Sequence, residues 1–321
     1  MTPDAPIAMR PTQIDLSGTG NPDGWPVPPL PPAAWHRLPE GDDGLEEAAA
    51  EYYGNTNLLP VAGALAATRL LPALLPRAVV ACIGPLAGAH VEAWTQAGHR
   101  PRLLQSATLQ RALAAATPYV LLANPSDVTA DRHPHAVAVD AAKQLKKRGG
   151  WLIVDESHID ATPEESLTPL AGSAEAPNLI VLRSLDHFFG LAGARVGFVC
   201  AAPDLLARMA AAMGPWTVAG PSRAAARLAL LDTAWQAAMR PRLLAAGQRL
   251  HDLLAPLGEV KSTALFAALL TPHAGELHDH LARHGVLVRR CEQPALLRFG
   301  LPGDETGWQR LAAALYSWNP A

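Results

Sequence analysis

After Gly44, short apolar runs alternate with stretches of helical periodicity through much of the chain. The apolar runs are RAVVACIG, YVLLAN, GWLIVDES, NLIVLRS and ARVGFVC. The helical stretches include LEEAAAEYYG, which ends at a potential C-cap glycine, Gly54, and the amphipathic segment HAVAVDAAKQLKKRG. Apolar strands separated by helices are typical of a mainly parallel sheet covered on both faces. The pattern predicts an α/β large domain over residues 46–214.

The two ends of the chain have different patterns. Residues 1–45 contain the proline- and glycine-rich segment NPDGWPVPPLPPAAWHRLPEGDDG, which excludes a continuous helix or strand. We expect an ordered arm there, because Trp25 and Trp35 need a surface to pack on, behind a flexible tail of about a dozen residues. Residues 215–321 begin with a long helical stretch followed by short alternating segments, which predict a smaller α+β domain.

Polar residues follow several predicted strands directly. They are the pairs AN at 123–124 and RS at 183–184, and the triplet DES at 155–157. Ligands of open α/β sheets bind outside the carboxyl ends of the strands. The sequence therefore predicts a site that includes Asp155 and Ser184.

Composition and charge exclude several classes of protein. The net charge of −3 lacks the basic excess of a nucleic-acid binder. Three isolated cysteines argue against a disulfide framework and a zinc knuckle, and favour a reducing compartment. The first residues lack a signal-peptide pattern, and the most apolar region, LLPALLPRAVVACIGPLAGAH, is interrupted by three prolines and an arginine. We expect a soluble cytoplasmic protein with no membrane partner.

Seven segments, taken in order, resemble one family. They are DLSGTGNP, EYYG, GGWLIVDES, VLRSLDHFFGLAGARVGF, MGPWTVAGPS, LDTAWQAA and LLRFGLPGDE. Together they are similar to fold-type I pyridoxal-phosphate proteins, and more narrowly to the threonine-phosphate decarboxylase-like proteins of cobalamin biosynthesis. The resemblance implies a homodimer with a mainly parallel, seven-stranded-type sheet and a small C-terminal α+β domain. It also implies pyridoxal phosphate as the cofactor.

The resemblance assigns roles to individual residues. Asp155 matches the carboxylate that pairs with the coenzyme ring nitrogen. Ser184 and Arg195 match the phosphate-binding positions, and Tyr53, or its neighbour Tyr52, matches the tyrosine that reaches the phosphate of the neighbouring subunit.

Arg298 matches the arginine that holds the substrate carboxylate as a bidentate pair, and Asn21 lies in the matching DLSGTGNP segment as a second substrate-binding candidate. Cautious alternatives stay open. Tyr53 can be a core aromatic, and Arg298 can pair with Asp304 or Glu305 on the surface.

The sequence departs from the family pattern at several of these positions. His187 stands where the resemblance places the lysine that anchors the coenzyme as an imine. Asp127 takes the place of an asparagine, and His158 stands where many relatives have a phenol. Ala87 replaces the expected stacking tyrosine and Ala64 a hydroxyl donor. The loss of two hydrogen bonds and one ring stack would weaken coenzyme binding by roughly 1.5–4.5 kcal/mol, which is about ten- to two-thousand-fold in affinity.

His187 and Asp155 are the two catalytic candidates, and three interpretations of His187 compete. It can be a degenerate position in a protein that binds coenzyme non-covalently or not at all. It can be the base of a pyridoxamine-phosphate enzyme, since imidazole exchanges protons near neutral pH. A metal site formed with Asp155, Asp127 and His158 lacks supporting spacing. If the coenzyme is absent, His187 can also serve as the cation that pairs with the buried Asp155.

These interpretations give three expectations for function. The first is a threonine-phosphate decarboxylase-like or aminotransferase-fold protein with impaired coenzyme chemistry. The second is a non-catalytic protein of cobalamin synthesis that binds a small anionic ligand or another protein of the pathway. The third is a pyridoxamine-phosphate enzyme with His187 as its base.

Overall fold

The computed structural model describes residues 13–86, 88–105 and 109–319. The strands are β1 (Ile14–Asp15), β2 (Leu58–Val61), β3 (Val79–Ile83), β4 (Arg100–Leu104), β5 (Tyr119–Ala123), β6 (Trp151–Asp155), β7 (Leu179–Ser184), β8 (Gly197–Cys200), β9 (Glu259–Ser262), β10 (Phe266–Leu270), β11 (Val286–Leu287), β12 (Arg289–Cys291) and β13 (Leu296–Gly300). The helices are α1 (Ala33–His36), α2 (Leu45–Tyr53), α3 (Ala64–Leu70), α4 (Gly88–Gln96), α5 (Leu109–Ala114), α6 (His135–Lys146), α7 (Pro203–Met213), α8 (Gly220–Leu231), α9 (Thr233–Leu254), α10 (Ala274–Arg283) and α11 (Glu305–Tyr316).

A seven-stranded sheet forms the centre of the large domain, in the order β2-β8-β7-β6-β5-β3-β4. The five strands from β4 to β7 in that order run parallel, whereas β8 is antiparallel to β7 and β2 is antiparallel to β8. The predicted α/β class with a mainly parallel sheet is confirmed. Parallel register brings Asp155 level with Ala123 of β5 and Leu182 of β7, so the predicted strand ends meet at one edge.

Apolar residues on both faces of the sheet explain why its strands read as continuous hydrophobic runs. In β5, Val120 and Leu122 belong to one buried cluster, and Leu121 between them belongs to another. The alternation follows from the pleat, which directs successive side chains to opposite faces. Both faces are therefore covered, as expected for a parallel sheet.

The C-terminal part is built on a four-stranded antiparallel sheet in the order β12-β13-β10-β9. Helix α9 leads into it and begins at Asp232, whose carboxylate accepts a hydrogen bond from the Trp235 amide at 3.0 Å. Across the described ranges, no helix combines the length and the apolar character that a membrane crossing requires.

The N-terminal arm contacts both parts of the molecule. Strand β1 pairs in parallel with β11, and further along the arm the amides of Asn21 and Trp25 donate to the carbonyls of His187 and Phe189, both at 2.8 Å. Trp25 is 7% exposed, as predicted, but Trp35 is 67% exposed because the short helix α1 carries it on the surface. The packing of Trp25 is confirmed, whereas a packing surface for Trp35 stays a prediction. The expected flexible tail lies outside the described residues.

Candidate functional site

Asp155 ends β6, and each oxygen of its carboxylate has a partner within the chain. Its Oδ2 lies 2.9 Å from Nε2 of His90, a residue in the first turn of α4. Its Oδ1 accepts from the backbone amide of Ser157 at 3.0 Å and from the Ser157 hydroxyl at 2.5 Å. The carboxylate predicted to receive a coenzyme ring nitrogen is thus held in place, and Oδ2 retains the capacity for a second hydrogen bond.

Asp155 and His90 form an ion pair. Burial raises the pKa of Asp155, but the hydrogen bond and charge of His90, together with Ser157, hold it well below its usual range. Burial lowers the pKa of His90, yet the Asp155 carboxylate outweighs it and raises that pKa above 6.5. The expectation that His187 is the cation beside Asp155 was wrong, because His90 takes that place.

His187 belongs to a different group, formed with His158 and Thr19 of the arm. The two imidazole rings stack with centroids 3.7 Å apart and planes at 26°. The Thr19 hydroxyl lies 2.9 Å from Nε2 of His158 and 3.2 Å from Nδ1 of His187. A hydroxyl has one proton to donate, so it donates to at most one of the rings. Burial lowers the pKa of both histidines, which favours neutral rings at pH 7.

The predicted phosphate contacts are Ser184 and Arg195, and both of them hydrogen-bond Asp186. Ser184 is 2% exposed, and its Oγ accepts from the amide of Asp186 at 3.1 Å. Arg195 donates from Nη1 to Oδ2 of Asp186 at 3.0 Å. Its guanidinium also lies against Gly63, where an added Cβ would come 2.3 Å from Nη2. Asp186 therefore neutralises the charge that a phosphate would need.

Arg298, the predicted substrate contact, is 7% exposed and lies on β13. It donates from Nη1 to the Asp127 carbonyl at 2.7 Å and from Nη2 to the Ser17 carbonyl at 2.8 Å. The alternative of a surface pair was wrong. Glu305 binds Arg249 instead, and the Asp304 carboxylate caps α11 through the Gly307 amide.

A second cation lies beside Arg298. Arg289 is directly opposite it in the antiparallel pair of β12 and β13. Burial, followed by the charge of Arg289, lowers the pKa of Arg298. Within the part of the chain that the structure describes, neither arginine has a carboxylate within 4.0 Å. Two adjacent arginines without a counter-charge are suited to an anionic ligand.

Asp127 contributes its backbone to this region and holds its carboxylate in a buried position. Its Oδ1 has no hydrogen-bond partner among the described residues. Burial, followed by the charge of Asp155, raises the pKa of Asp127. When protonated, the carboxyl group can donate a hydrogen bond as an asparagine amide does.

Two predicted residues make contacts within the fold. Asn21 donates from Nδ2 to the Phe188 carbonyl at 3.0 Å and accepts from the Asp23 amide at 2.9 Å, so each end of its amide has one partner. Tyr53 is 5% exposed, and its ring packs on Phe198. This placement agrees with the alternative of a core aromatic.

A buried ion cluster lies next to the site and was not predicted from the sequence. Arg183 lies 3.0 Å from Glu156 and 2.6 Å from Asp160, and these side chains are at most 2% exposed. The hydroxyls of Ser166 and Thr168 complete it. The segments DES and RS predicted the correct strand ends, but only Asp155 and Ser184 were assigned to the site. The cluster is formed by their neighbours Glu156 and Arg183.

The metal alternative has no support in the geometry. Among the described residues, which include all four residues proposed for it, no group of three or more histidines, cysteines or carboxylates is placed to hold a metal ion. The expected tyrosine position at Ala87 lies outside the described residues.

Comparison with known proteins decides the family. A model of the family described as aminotransferase class I and II matches residues 35–316. The chain belongs to the aminotransferase class I and II family. A threonine-phosphate decarboxylase of Pseudomonas aeruginosa is 45% identical over 318 residues, which cover 98% of this chain and 94% of that protein. One from a Sinorhizobium species is 36% identical and covers 94% and 91%.

Solved structures of this family have the same fold. Histidinol-phosphate aminotransferase from Sinorhizobium meliloti, in complex with pyridoxal-5'-phosphate, superposes with a TM-score of 0.82 at 23% identity and covers 95% of this chain and 90% of that one. L-threonine-O-3-phosphate decarboxylase from Porphyromonas gingivalis has a TM-score of 0.77 at 19% identity, with 95% and 98% covered. These neighbours confirm the fold-type I expectation.

The cofactor expected from the resemblance is shown at the level of the family, and one of the neighbours above holds pyridoxal-5'-phosphate. Of the residues predicted to hold it, Asp155 and Arg195 also have partners within the chain, His90 and Asp186. Residue 187 offers an imidazole, which lacks the primary amine needed for an imine.

Proposed function

We propose that this chain is a threonine-phosphate decarboxylase-like protein of cobalamin biosynthesis that has lost covalent coenzyme chemistry. One observation carries the proposal. His187, which the resemblance places at the position of the anchoring lysine, stacks on His158 and hydrogen-bonds Thr19, and its imidazole offers no primary amine to hold an aldehyde. The two relatives above 35% identity support the choice of pathway. A homodimer in the cytoplasm is part of the proposal.

The ligand that we propose is a small phosphorylated amino acid or its decarboxylated amino-alcohol phosphate. The two relatives are threonine-phosphate decarboxylases, and threonine phosphate carries a carboxylate and a phosphate. Arg298 and Arg289 offer two positive charges side by side without an internal counter-charge in the described chain. Binding such an anion without converting it would suit a carrier or a partner of another enzyme in the pathway.

Carbon dioxide release from carboxyl-labelled O-phosphothreonine tests the loss of chemistry. We expect no release above background from the purified protein with added pyridoxal phosphate, while the Pseudomonas aeruginosa relative serves as the positive control. Visible absorption, recorded in parallel, should show no imine band. Turnover at a rate near that of the control would contradict the proposal.

Absorption spectroscopy also tests the remaining alternative, in which His187 is the base of a pyridoxamine-phosphate enzyme. Its lowered pKa leaves the imidazole unprotonated, as a base must be. A pyridoxamine-type absorption band that survives dialysis, and disappears in His187→Gln, would support that alternative. No retained band would exclude it.

A further inference from the structure

We propose that the site binds a small anion and a proton together, with the anion on Arg298 and the proton on the stacked imidazole rings of His158 and His187. The inference rests on the proposed function, because it takes its anionic ligand from there. It adds the proton as a second binding partner and makes Thr19 a positioning residue between the two rings.

Shared neighbours place the rings close to Arg298. The His158 ring and the Arg298 guanidinium both lie near Phe266, at 5.4 Å and 5.8 Å from its ring centroid. The Ser17 carbonyl accepts from Nη2 of Arg298 at 2.8 Å, and the hydroxyl of Thr19, two residues later, lies 2.9 Å from Nε2 of His158. Consecutive Cα atoms are about 3.8 Å apart, so the arm joins the guanidinium to the rings over a short span. A charge on a bound anion therefore acts on the rings at close range.

The two rings are suited to one added proton and not to two. Their centroids are only 3.7 Å apart, so two positive charges would repel each other. Thr19 is 6% exposed, and its hydroxyl can accept from an N–H of one ring while it donates to the lone pair of the other. A singly protonated pair keeps both hydrogen bonds. In a doubly protonated pair, both facing nitrogens would be donors, and the hydroxyl proton would find no ring to receive it.

The charges that act on the rings make this proton depend on the anion. Asp155 at the end of β6 and Asp186 after β7 favour a protonated ring, whereas Arg298 on β13 opposes it. Burial is the largest cause, and with Arg298 it keeps the pKa of both rings below 6.5. An anion that neutralises Arg298 removes this repulsion and adds an attraction of its own, so the rings take up a proton on binding. By linkage, the protonated pair binds the anion more tightly.

The affinity for inorganic sulfate, measured against pH, tests the proposal, because the charge of sulfate is constant where imidazole titrates. In the wild type, the affinity should rise at least about fivefold as the pH falls from about 7.5 to about 5.5. A His158→Gln, His187→Gln double variant should lose most of this rise. The variant keeps Asp127, a second buried group that gains a proton as the pH falls, so the difference from the wild type is due to the rings.

The matched control is a His36→Gln, His284→Gln double variant, which removes two exposed histidines. It should keep the pH dependence of the wild type. An equal rise in affinity in the wild type and in the His158→Gln, His187→Gln variant would overturn the proposal.

Calorimetry in two buffers that differ in ionisation enthalpy counts the protons taken up with each sulfate ion. The wild type should take up a large part of one proton at about pH 6. Thr19→Val removes the shared hydroxyl at nearly constant volume and should move this uptake to lower pH, since a protonated ring loses its acceptor. Thr19→Ser keeps the hydroxyl and should behave as the wild type. Sulfate binding without proton uptake in the wild type would overturn the proposal, and identical uptake profiles in Thr19→Val and Thr19→Ser would overturn the role of Thr19.

NMR of the histidine rings in the wild type gives a test that needs no variant to fold. Sulfate should raise the pKa of His158 or His187 and leave that of the exposed His36 unchanged. If neither ring responds to bound sulfate, the proposal is wrong.

The outcomes are distinguishable from those of the function assay. Wild-type turnover of O-phosphothreonine would overturn the proposed function, whereas sulfate binding without proton uptake would overturn only the proton linkage. Absence of binding for both sulfate and O-phosphothreonine would overturn the inference together with the ligand that we propose.

Discussion

Two buried arginines, Arg183 and Arg298, have opposite surroundings. Arg183 lies between the carboxylates of Glu156 and Asp160, whereas Arg298 donates to two backbone carbonyls. Each leaves its Nε without a hydrogen-bond partner, so the difference lies in the carboxylates. The pKa of Arg183 is raised, with the charge of Asp160 first among the causes that overcome burial, while burial and Arg289 lower that of Arg298.

The comparison separates a buried charge that is balanced within the fold from one that we propose is balanced by a ligand. A buried ion needs a partner, because removal from water costs several kcal/mol. Arg183 has its partners inside the fold. Arg298 donates only to backbone carbonyls there, and we propose that a ligand supplies its counter-charge. The predictions that follow test this difference, beginning with the largest expected effect.

Arg183→Met should lower the free energy of unfolding by about 3–5 kcal/mol, since it leaves two buried carboxylates without their cation. Urea denaturation measures the change, and Arg183→Lys, which keeps the charge, should lose less. A loss below about 1 kcal/mol would mean that the cluster adds little, as surface pairs do.

Arg298→Met should affect binding more than folding. We expect the affinity for O-phosphothreonine, measured by calorimetry, to fall by about 2–5 kcal/mol, or roughly 30-fold or more. The loss of stability should be smaller than in Arg183→Met, because only neutral carbonyls lose a donor. Arg249→Met, which removes an exposed cation of α9, is the control. Unchanged affinity in Arg298→Met would refute the ligand role.

Acidification extends the comparison to His158, which is buried, and His187, which is partly buried. Neither ring forms an ion pair with a carboxylate among the described residues. Their folded pKa values lie below 6.5, so the unfolded chain takes up protons first and stability falls as the pH drops below about 6.5. Each histidine contributes up to about 1.4 kcal/mol per pH unit until its folded pKa is reached. His90 acts in the opposite sense, because its raised pKa gives stability that is lost as the pH rises through that value.

Urea unfolding between pH 7 and 5, compared between the wild type and a His158→Gln, His187→Gln double variant, measures this effect. The double variant should show a shallower loss of stability. Parallel curves for the two proteins would show that the two histidines do not titrate as described.

The smallest effect is expected at an exposed pair, Lys261 with Asp131 at 2.8 Å, which are 39% and 48% exposed. Lys261→Ala should cost less than about 1 kcal/mol, and high salt should remove the difference. Thermal unfolding with and without salt measures it. A loss as large as that of Arg183→Met would break the distinction between buried and exposed charges.

Local patterns predicted the sheet and the strand-end position of Asp155, because strand periodicity and strand-end position are properties of neighbouring residues. The partners of these residues could not be predicted in the same way. His90 reaches Asp155 only because β3 and β6 flank β5 in one sheet, and Thr19 reaches His158 only because the arm crosses the large domain. Such contacts depend on the tertiary arrangement, which no single segment encodes.

The parallel pairing of β1 with β11 has a consequence for the order of synthesis. The arm leaves the ribosome first, but its strand partner, Val286 and Leu287, is made only in the last part of the chain. Domains form largely in the order of translation, and contacts distant in sequence form late. Ser17 therefore meets Arg298 only when translation is nearly complete. A product truncated before β11 would lack both the strand partner of the arm and Arg298.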